Sequence, residues 1–255
     1  MRETRLLMGM PVTIEVVDGQ VSPTDIERVY TYLHHVDETF STYKETSEIS
    51  QLNAGKLKPE AWSADMREVL AACERTKQET HGYFDIAHNG TLDPSGYVKG
   101  WAIQNAAALL CRQGFRDYYV EAGGDLQVSG HSAAGRPWVI GIRNPFNHEQ
   151  IVKRVELKNE GMATSGTYIK GQHIYNPLAP GQEMREIVSL TVIGPKVVDA
   201  DRYATAAFAM GVEGVAFIAS LKGFEGYQID ALGTATFTPG FSDYALPDDP
   251  TPPNR

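Results

Sequence analysis

The sequence contains few cysteines and no long apolar run. Only Cys73 and Cys111 occur in 255 residues, without a CxxC pair, so we expect both to pack as small hydrophobes on apolar helix faces rather than to form a disulfide or bind metal. No run of about 18 apolar residues is present, which argues against a membrane-spanning helix. The first residues also lack the apolar segment and cleavage site of a signal peptide. We therefore expect a cytoplasmic protein without membrane insertion.

Positive charge is also in short supply. The chain has 23 Lys and Arg against 32 Asp and Glu, which gives a formal net charge of -9. This balance argues against nucleic acid or an anionic membrane as a partner. An anionic ligand would need local cations or a metal ion to offset the surrounding negative field.

Helical and strand patterns are intermixed along the chain. Ser22 and Pro23 begin a helix whose apolar residues recur at helical spacing as far as Phe40. Further helices are predicted from Ser63, from about Ser95, from Asp199 and over 213 to 221; strands are predicted at 11 to 17, 118 to 130 (two, joined at Gly123 and Gly124), 138 to 145, 152 to 159, 187 to 194, 226 to 231 and 234 to 237.

This order of elements predicts an α+β fold. With 42% hydrophobic residues the chain can bury a substantial core. We expect a single compact domain of mixed β-sheets flanked by helices over residues 1 to 243. Residues 244 to 255 are rich in proline and are predicted to form a disordered tail.

The segment from residue 198 to residue 211 contains a candidate metal site. Asp201 and Thr205 are four residues apart, so on a helix their oxygens lie on the same face, with Asp199 as the predicted N-cap. Mg²⁺ prefers oxygen ligands and needs only one or two protein carboxylates when substrate phosphates supply the rest. The alternative from these residues alone is that Asp199 and Asp201 only cap the helix and complement its dipole.

Two other segments suggest an anionic ligand. Lys99 lies in the first turn of a predicted helix, where a cation opposes the helix dipole, so an anionic partner is expected nearby. Residues 161 to 168, GMATSGTY, are predicted to form a loop that either cradles phosphate or ribose oxygens or makes a tight turn.

Eight sequence blocks, in order, carry a family resemblance. They are MGMPVTIEV, FSTYKETSEISQLN, GYFDIAHNG, LDPSGYVKGWAI, VEAGGDLQVSG, ATSGTY, HIYNP and SLTVIGPKVVDADRYATAAFAMG. Over roughly residues 5 to 235 the chain closely resembles the ApbE-like flavin transferases, the FAD:protein FMN transferases. The resemblance implies an enzyme that binds FAD and Mg²⁺, transfers FMN to a threonine or serine hydroxyl of an acceptor protein, and releases AMP.

The resemblance also implies roles for individual residues. Contacts with FAD are expected from Met8, Tyr43, Tyr83, Phe84, Asp85, Asp93, Lys99 and Tyr175; metal ligands are expected from Asp201, Thr205 and the carbonyl of Gly96. His173 lies in the block that matches a histidine motif of the family, and we expect it to act as the base that activates the acceptor hydroxyl. Met10, Ala87 and Asn176 depart from the usual Thr, Thr and Asp of the family. Hydrolysis of FAD to FMN and AMP, or flavin binding without catalysis, are the alternative functions.

Overall fold

The computed structural model describes residues 1–166 and 175–247. Its helices are α1 (Pro23–Phe40), α2 (Glu48–Asn53), α3 (Ala64–Glu79), α4 (Ser95–Arg112), α5 (Val197–Ala209) and α6 (Gly214–Ser220). Its strands are β1 (Arg2–Leu7), β2 (Met10–Val16), β3 (Ala87–His88), β4 (Thr91–Leu92), β5 (Tyr118–Ala122), β6 (Asp125–Ser129), β7 (Trp138–Asn144), β8 (Asn147–Leu157), β9 (Gly161–Gly166), β10 (Ile187–Gly194), β11 (Glu225–Asp230) and β12 (Ala235–Phe237).

One large sheet forms the centre of the molecule. Eight strands pair in the order β1-β2-β5-β6-β9-β10-β11-β12, and their pairings in the described residues are antiparallel. Two hairpins, β3-β4 and β7-β8, stand outside this sheet. The combination of a large antiparallel sheet with helices confirms the predicted α+β fold.

The two faces of the sheet are covered by different elements. Because side chains alternate along a strand, Val120 of β5 and Ala163 of β9 face the helices, whereas Leu126 of β6 and Met162 of β9 face the opposite way. That second face packs against Trp138, Ile142, Val155 and Leu157 of the β7-β8 hairpin and against Phe241. The sheet therefore separates a helical side, which holds the candidate site, from a β-hairpin side.

The α1 prediction is confirmed in detail. Ser22 accepts a hydrogen bond from the backbone N–H of Asp25, whose carboxylate accepts one from the backbone N–H of Ser22. This capping box satisfies two backbone donors at the start of the helix. The apolar face predicted from helical spacing is buried as far as Phe40.

Three local predictions are wrong. Helix α5 begins at Val197, and Asp199 lies inside it rather than at the N-cap. The backbone N–H of Val197 instead donates to Oε1 of Gln127 on β6, 2.9 Å away, so a neighbouring strand supplies the capping acceptor. Residues 161 to 166, predicted as a loop, form strand β9. Cys111 is exposed in the last turn of α4, whereas Cys73 is buried as expected.

The C-terminal end of the described chain is paired with the β7-β8 hairpin. The backbone N–H of Glu156 donates to the carbonyl of Tyr244, and that of Leu246 donates to the carbonyl of Arg154, both at 2.8 Å. Ordered pairing thus continues past the predicted domain boundary at residue 243. Residues 248 to 255 of the predicted tail lie outside the described residues. Within residues 1–166 and 175–247, no helix has the length and apolar character needed to cross a membrane.

Candidate active site

Helices α4 and α5 approach each other closely at two glycines of α4. A Cβ atom at Gly100 would lie 2.7 Å from Cβ of Asp201, and one at Gly96 would lie 3.3 Å from Cγ2 of Thr205. Residue 96 therefore lies beside residue 205 and residue 100 beside residue 201, so the helices run antiparallel at this contact. The packing places the three predicted metal ligands, Gly96, Asp201 and Thr205, in one region.

Asp201 is a buried carboxylate with two kinds of neighbour. The residue is only 3% exposed to solvent. Oδ2 accepts a hydrogen bond from the backbone N–H of Gly100 at 2.7 Å, and Oδ1 lies 3.8 Å from Nζ of Lys99. Burial raises the pKa of Asp201; the Lys99 ammonium opposes this shift, and the negative charge of Asp125 adds to it.

The predicted anionic partner of Lys99 is Asp125, at the start of β6. Nζ of Lys99 lies 2.5 Å from Oδ2 of Asp125, which is 1% exposed. Oδ1 of Asp125 accepts a hydrogen bond from the backbone N–H of Thr164 on β9 at 3.0 Å. Asp125 was not among the predicted site residues. The available signal was the unexplained cation near the start of the predicted helix, which required an acidic partner.

The donor atoms of this region suit a hard cation. The Asp201 carboxylate, the Thr205 hydroxyl and the backbone near Gly96 are oxygen ligands of the kind that Mg²⁺ prefers. In the part of the chain that the structure describes, no three His, Cys, Asp or Glu side chains form a metal-binding group. A cation at Asp201 would therefore complete its coordination with water or substrate oxygens, as Mg²⁺ commonly does.

A second cluster lies around Tyr175, and we call Asp85, His88 and Tyr175 the Tyr175 cluster. The Tyr175 hydroxyl donates to the backbone carbonyl of Asp85 at 2.7 Å, and its ring centroid lies 4.1 Å from that of His88. The Asp85 carboxylate forms an ion pair with Lys77 at 2.7 Å. Burial raises the pKa of Tyr175 to about 12, and the negative charges of Asp85 and Asp93 contribute to the shift.

The Tyr175 cluster and the metal-ligand region are joined through Phe84. A Cβ atom at Gly96 would lie 3.4 Å from Cε2 of Phe84, which is buried in the main core. The backbone N–H of Phe84 donates to Oγ1 of Thr80 at 3.1 Å, which fixes the chain where it leaves α3. His88 was not among the predicted site residues, because the β3-β4 hairpin that brings it to Tyr175 has only two residues in each strand.

The remaining predicted site residues lie on other segments of the chain. Met8 lies in the tight turn between β1 and β2, where Met8 and Gly9 have φ angles of 53° and 72°, and it packs against the helical core. Tyr83 is partly buried against the same core, and Asp93 is exposed just before α4, with Oδ1 accepting from the backbone N–H of Ser95 at 3.0 Å. His173 lies outside the described residues.

Tyr43 is 97% exposed in the turn between α1 and α2. Because of this exposure, replacing Tyr43 tests its contact with flavin without disturbing the packing of the protein. We expect Tyr43→Ala to weaken FAD binding several-fold, since an aromatic stacking contact contributes about 1 kcal/mol beyond area burial. The fold should be unaffected because the side chain packs against so little of the protein. Titration followed by flavin fluorescence measures the change, with Tyr119→Phe, on the opposite side of the sheet, as a control. Unchanged affinity would remove Tyr43 from the proposed site.

Solved structures show which class of fold this is. The chain superimposes on the flavin transferase ApbE from Vibrio cholerae with a TM-score of 0.84 and 22% identity, covering 96% of this chain and 98% of that chain. An ApbE protein from Thermotoga maritima also gives a TM-score of 0.84, with 21% identity and coverage of 97% and 99%. The fold is therefore that of the ApbE structures.

Sequence comparison identifies the family. The ApbE family model matches residues 8–91 and 87–228, so the chain belongs to the ApbE family. The relatives named FAD:protein FMN transferase include one from Vibrio cholerae and one from Escherichia coli. The one from Vibrio cholerae is 26% identical over 90% of this chain and 84% of its own length, and the one from Escherichia coli is 24% identical over 87% and 81%.

Proposed function

We propose that this protein is a FAD:protein FMN transferase that depends on a divalent cation, Mg²⁺, and modifies a threonine or serine hydroxyl of an acceptor protein. The observation that carries the proposal is the contact between α4 and α5. It sets a buried carboxylate, Asp201, and the Thr205 hydroxyl against the N-terminal turns of α4. Family membership and the names of the relatives support the same activity.

The ligands of Mg²⁺ in this proposal are Asp201, Thr205 and the carbonyl of Gly96. When bound, the ion would neutralise negative charge on the pyrophosphate of FAD. FAD would contact Met8, Tyr43, Tyr83, Phe84, Asp85, Asp93, Lys99 and Tyr175. The buried Phe84 would contribute by shaping the wall of the site, because its ring is packed in the core.

Transfer exchanges one bond to phosphorus for another. The acceptor oxygen forms a bond to the phosphorus of the FMN half of FAD, the bond from that phosphorus to the AMP oxygen breaks, and the hydroxyl proton passes to a base. We assign the base to His173. Lys99 places a cation beside the site, which favours an anionic substrate in a protein whose net charge is -9.

Incubation of the purified protein with FAD and Mg²⁺, with and without a threonine-bearing acceptor protein, tests the proposal. The expected products are AMP and an acceptor whose mass has increased by one FMN unit. Release of AMP together with free FMN, with every acceptor unmodified, would instead identify a FAD hydrolase. Saturable FAD binding without AMP release would identify a flavin-binding protein.

We expect His173→Ala to reduce acceptor flavinylation by about 100-fold or more, the usual scale of general base catalysis, and to leave FAD affinity close to that of the wild type. Mass spectrometry of the acceptor and fluorescence titration of FAD measure the two quantities separately. His34→Ala, at an exposed position of α1, is the matched control. Flavinylation by His173→Ala at the wild-type rate would show that another group is the base.

A further inference from the structure

A mostly buried arginine follows the proposed metal ligand Asp201 on α5. The side chain of Arg202 is only 13% exposed. Its Nε donates to Oδ1 of Asp199 at 2.8 Å, and its Nη2 donates to the Tyr203 hydroxyl at 2.8 Å. The guanidinium carbon also lies 4.1 Å from the centroid of the Tyr203 ring. Contacts within α5 therefore fix the plane of the guanidinium.

The third nitrogen of Arg202, Nη1, contacts the last turn of α3. It donates to Oγ1 of Thr76 at 3.2 Å and to Oε2 of Glu79. The Tyr203 hydroxyl donates to the same oxygen of Glu79 at 3.1 Å. All three guanidinium nitrogens are thus bonded, and the rigid charged fork connects α5 to α3.

The last turn of α3 also positions the loop of residues 83–85, three of the residues proposed to contact FAD. Oγ1 of Thr80 donates to the carbonyl of Thr76 at 2.7 Å and accepts from the backbone N–H of Phe84 at 3.1 Å. Both threonines are buried. A continuous chain of hydrogen bonds therefore runs from Arg202 through Thr76 and Thr80 to the backbone of Phe84.

The loop has two other polar attachments. The Asp85 carboxylate pairs with Lys77 of α3, and the Asp85 carbonyl accepts from the Tyr175 hydroxyl. These contacts fix the loop to α3 and to Tyr175. Arg202 is the charged bridge that fixes α3 itself to the helix that carries Asp201.

The spacing between the loop and Asp201 matters because one FAD molecule must reach both. In the proposed function its flavin half lies against residues 83–85, while its pyrophosphate binds the cation at Asp201. Displacement of a bound substrate by about 1 Å can cost about 100-fold in rate, even when the cause lies far from the reacting atoms.

We propose that Arg202 is a positioning residue that holds the loop of residues 83–85 at a fixed distance from Asp201, so that FAD can contact the loop and the metal ion together. This inference rests on the proposed function. Arg202 acts through α3 and touches neither FAD nor the metal ion.

Arg202→Lys tests the inference, because lysine keeps the positive charge but replaces the fork by a single ammonium. We expect backbone hydrogen exchange over residues 80–85 to accelerate about tenfold, since the turn loses its bridge, while exchange in β5 stays unchanged. FAD affinity in Mg²⁺, measured by flavin fluorescence, should fall about tenfold. Binding of Mn²⁺ alone, measured by electron paramagnetic resonance, should stay within about threefold of the wild type, because Asp201 and the local charge are retained.

Glu79→Gln breaks the same bridge from the α3 side and leaves α5 intact. We expect the same two effects from it. The double variant should be at most about twofold worse than the poorer single variant, because residues that act as one unit are not additive. Arg28→Lys is the matched control: this arginine of α1 also pairs with a carboxylate three residues before it, Asp25, but it is exposed. It should behave as the wild type does.

Unchanged exchange over residues 80–85, or unchanged FAD affinity, in a folded Arg202→Lys protein would overturn the inference. Equal acceleration in β5 would indicate a general loss of stability and would overturn it as well, as would fully multiplicative effects of Arg202→Lys and Glu79→Gln. If the wild type binds no FAD, the proposed function fails, and the inference fails with it for that separate reason.

Discussion

The Asp201→Asn variant is expected to lose metal-dependent release of AMP from FAD. Asparagine keeps the shape of the side chain and an oxygen that can accept from the Gly100 N–H, but it lacks the negative charge that a hard cation prefers. Loss of an outer-shell partner typically costs about 10- to 100-fold, and we expect loss of a direct ligand to reach at least the upper end of that range. Chromatographic assay of AMP across a Mg²⁺ titration measures the change.

Folding can be separated from chemistry in this experiment. Burial raises the pKa of Asp201, which means that the ionised carboxylate is destabilised in the folded protein relative to the unfolded chain. The protonated carboxyl of Asp201 favours the folded state, and this favourable contribution is complete below the unfolded pKa. It is lost as the pH rises from the unfolded pKa through the higher folded pKa. A neutral asparagine avoids the cost, so the thermal unfolding temperature at pH 7 should not fall. Wild-type activity with the same Mg²⁺ dependence would contradict the ligand assignment.

Features that depend on local sequence were predicted well. The predicted start of α1 needs only Ser22 as N-cap and Pro23 at the first helical position, which are neighbours in the chain. The four-residue spacing of Asp201 and Thr205 needs only the helical repeat, and the helix is present. In both cases the physical cause lies within one turn of helix, so the sequence alone contains the required information.

Features that depend on contacts between distant segments were missed. Helix α5 begins two residues before the predicted cap because Gln127, 70 positions earlier, accepts from its first N–H. The ion pair between Asp125 and Lys99 forms only because β6 lies beside α4 in the fold. Neither contact leaves a short-range pattern, and the register of the sheet is what brings these residues together.

Strand β9 was mistaken for a loop because small residues were interpreted as turn residues. A Cβ atom at Gly161 would lie 2.1 Å from the backbone nitrogen of Val197, so the strand must be small at this point to admit the start of α5. The composition of GMATSG therefore reflects close packing between strand and helix. Composition alone does not separate these two causes.

Gly100→Ala is expected to destabilise the protein and disturb the metal site together. The new Cβ would meet Cβ of Asp201 at 2.7 Å, Cα of Val198 at 2.9 Å and the carbonyl oxygen of Val197 at 3.0 Å. Two of these three atoms belong to the backbone of α5, so the steric clash can be relieved only if α4 and α5 move apart. We expect the free energy of unfolding to fall by about 2 kcal/mol, because overpacking costs about 3 kcal/mol and the higher helix propensity of alanine returns about 1 kcal/mol.

Urea unfolding and Mn²⁺ binding measure the two consequences of Gly100→Ala. Separation of α4 from α5 would lengthen the bond from the Gly100 N–H to Asp201 and move the carboxylate away from the N-terminal turns of α4, so metal affinity should fall along with stability. Gly19→Ala is the matched control, because a Cβ there has no atom within 4 Å and its φ angle is not positive. Stability equal to or above that of the wild type in Gly100→Ala would show that the helices can part without cost, and that glycine at this position does not determine the geometry of the site.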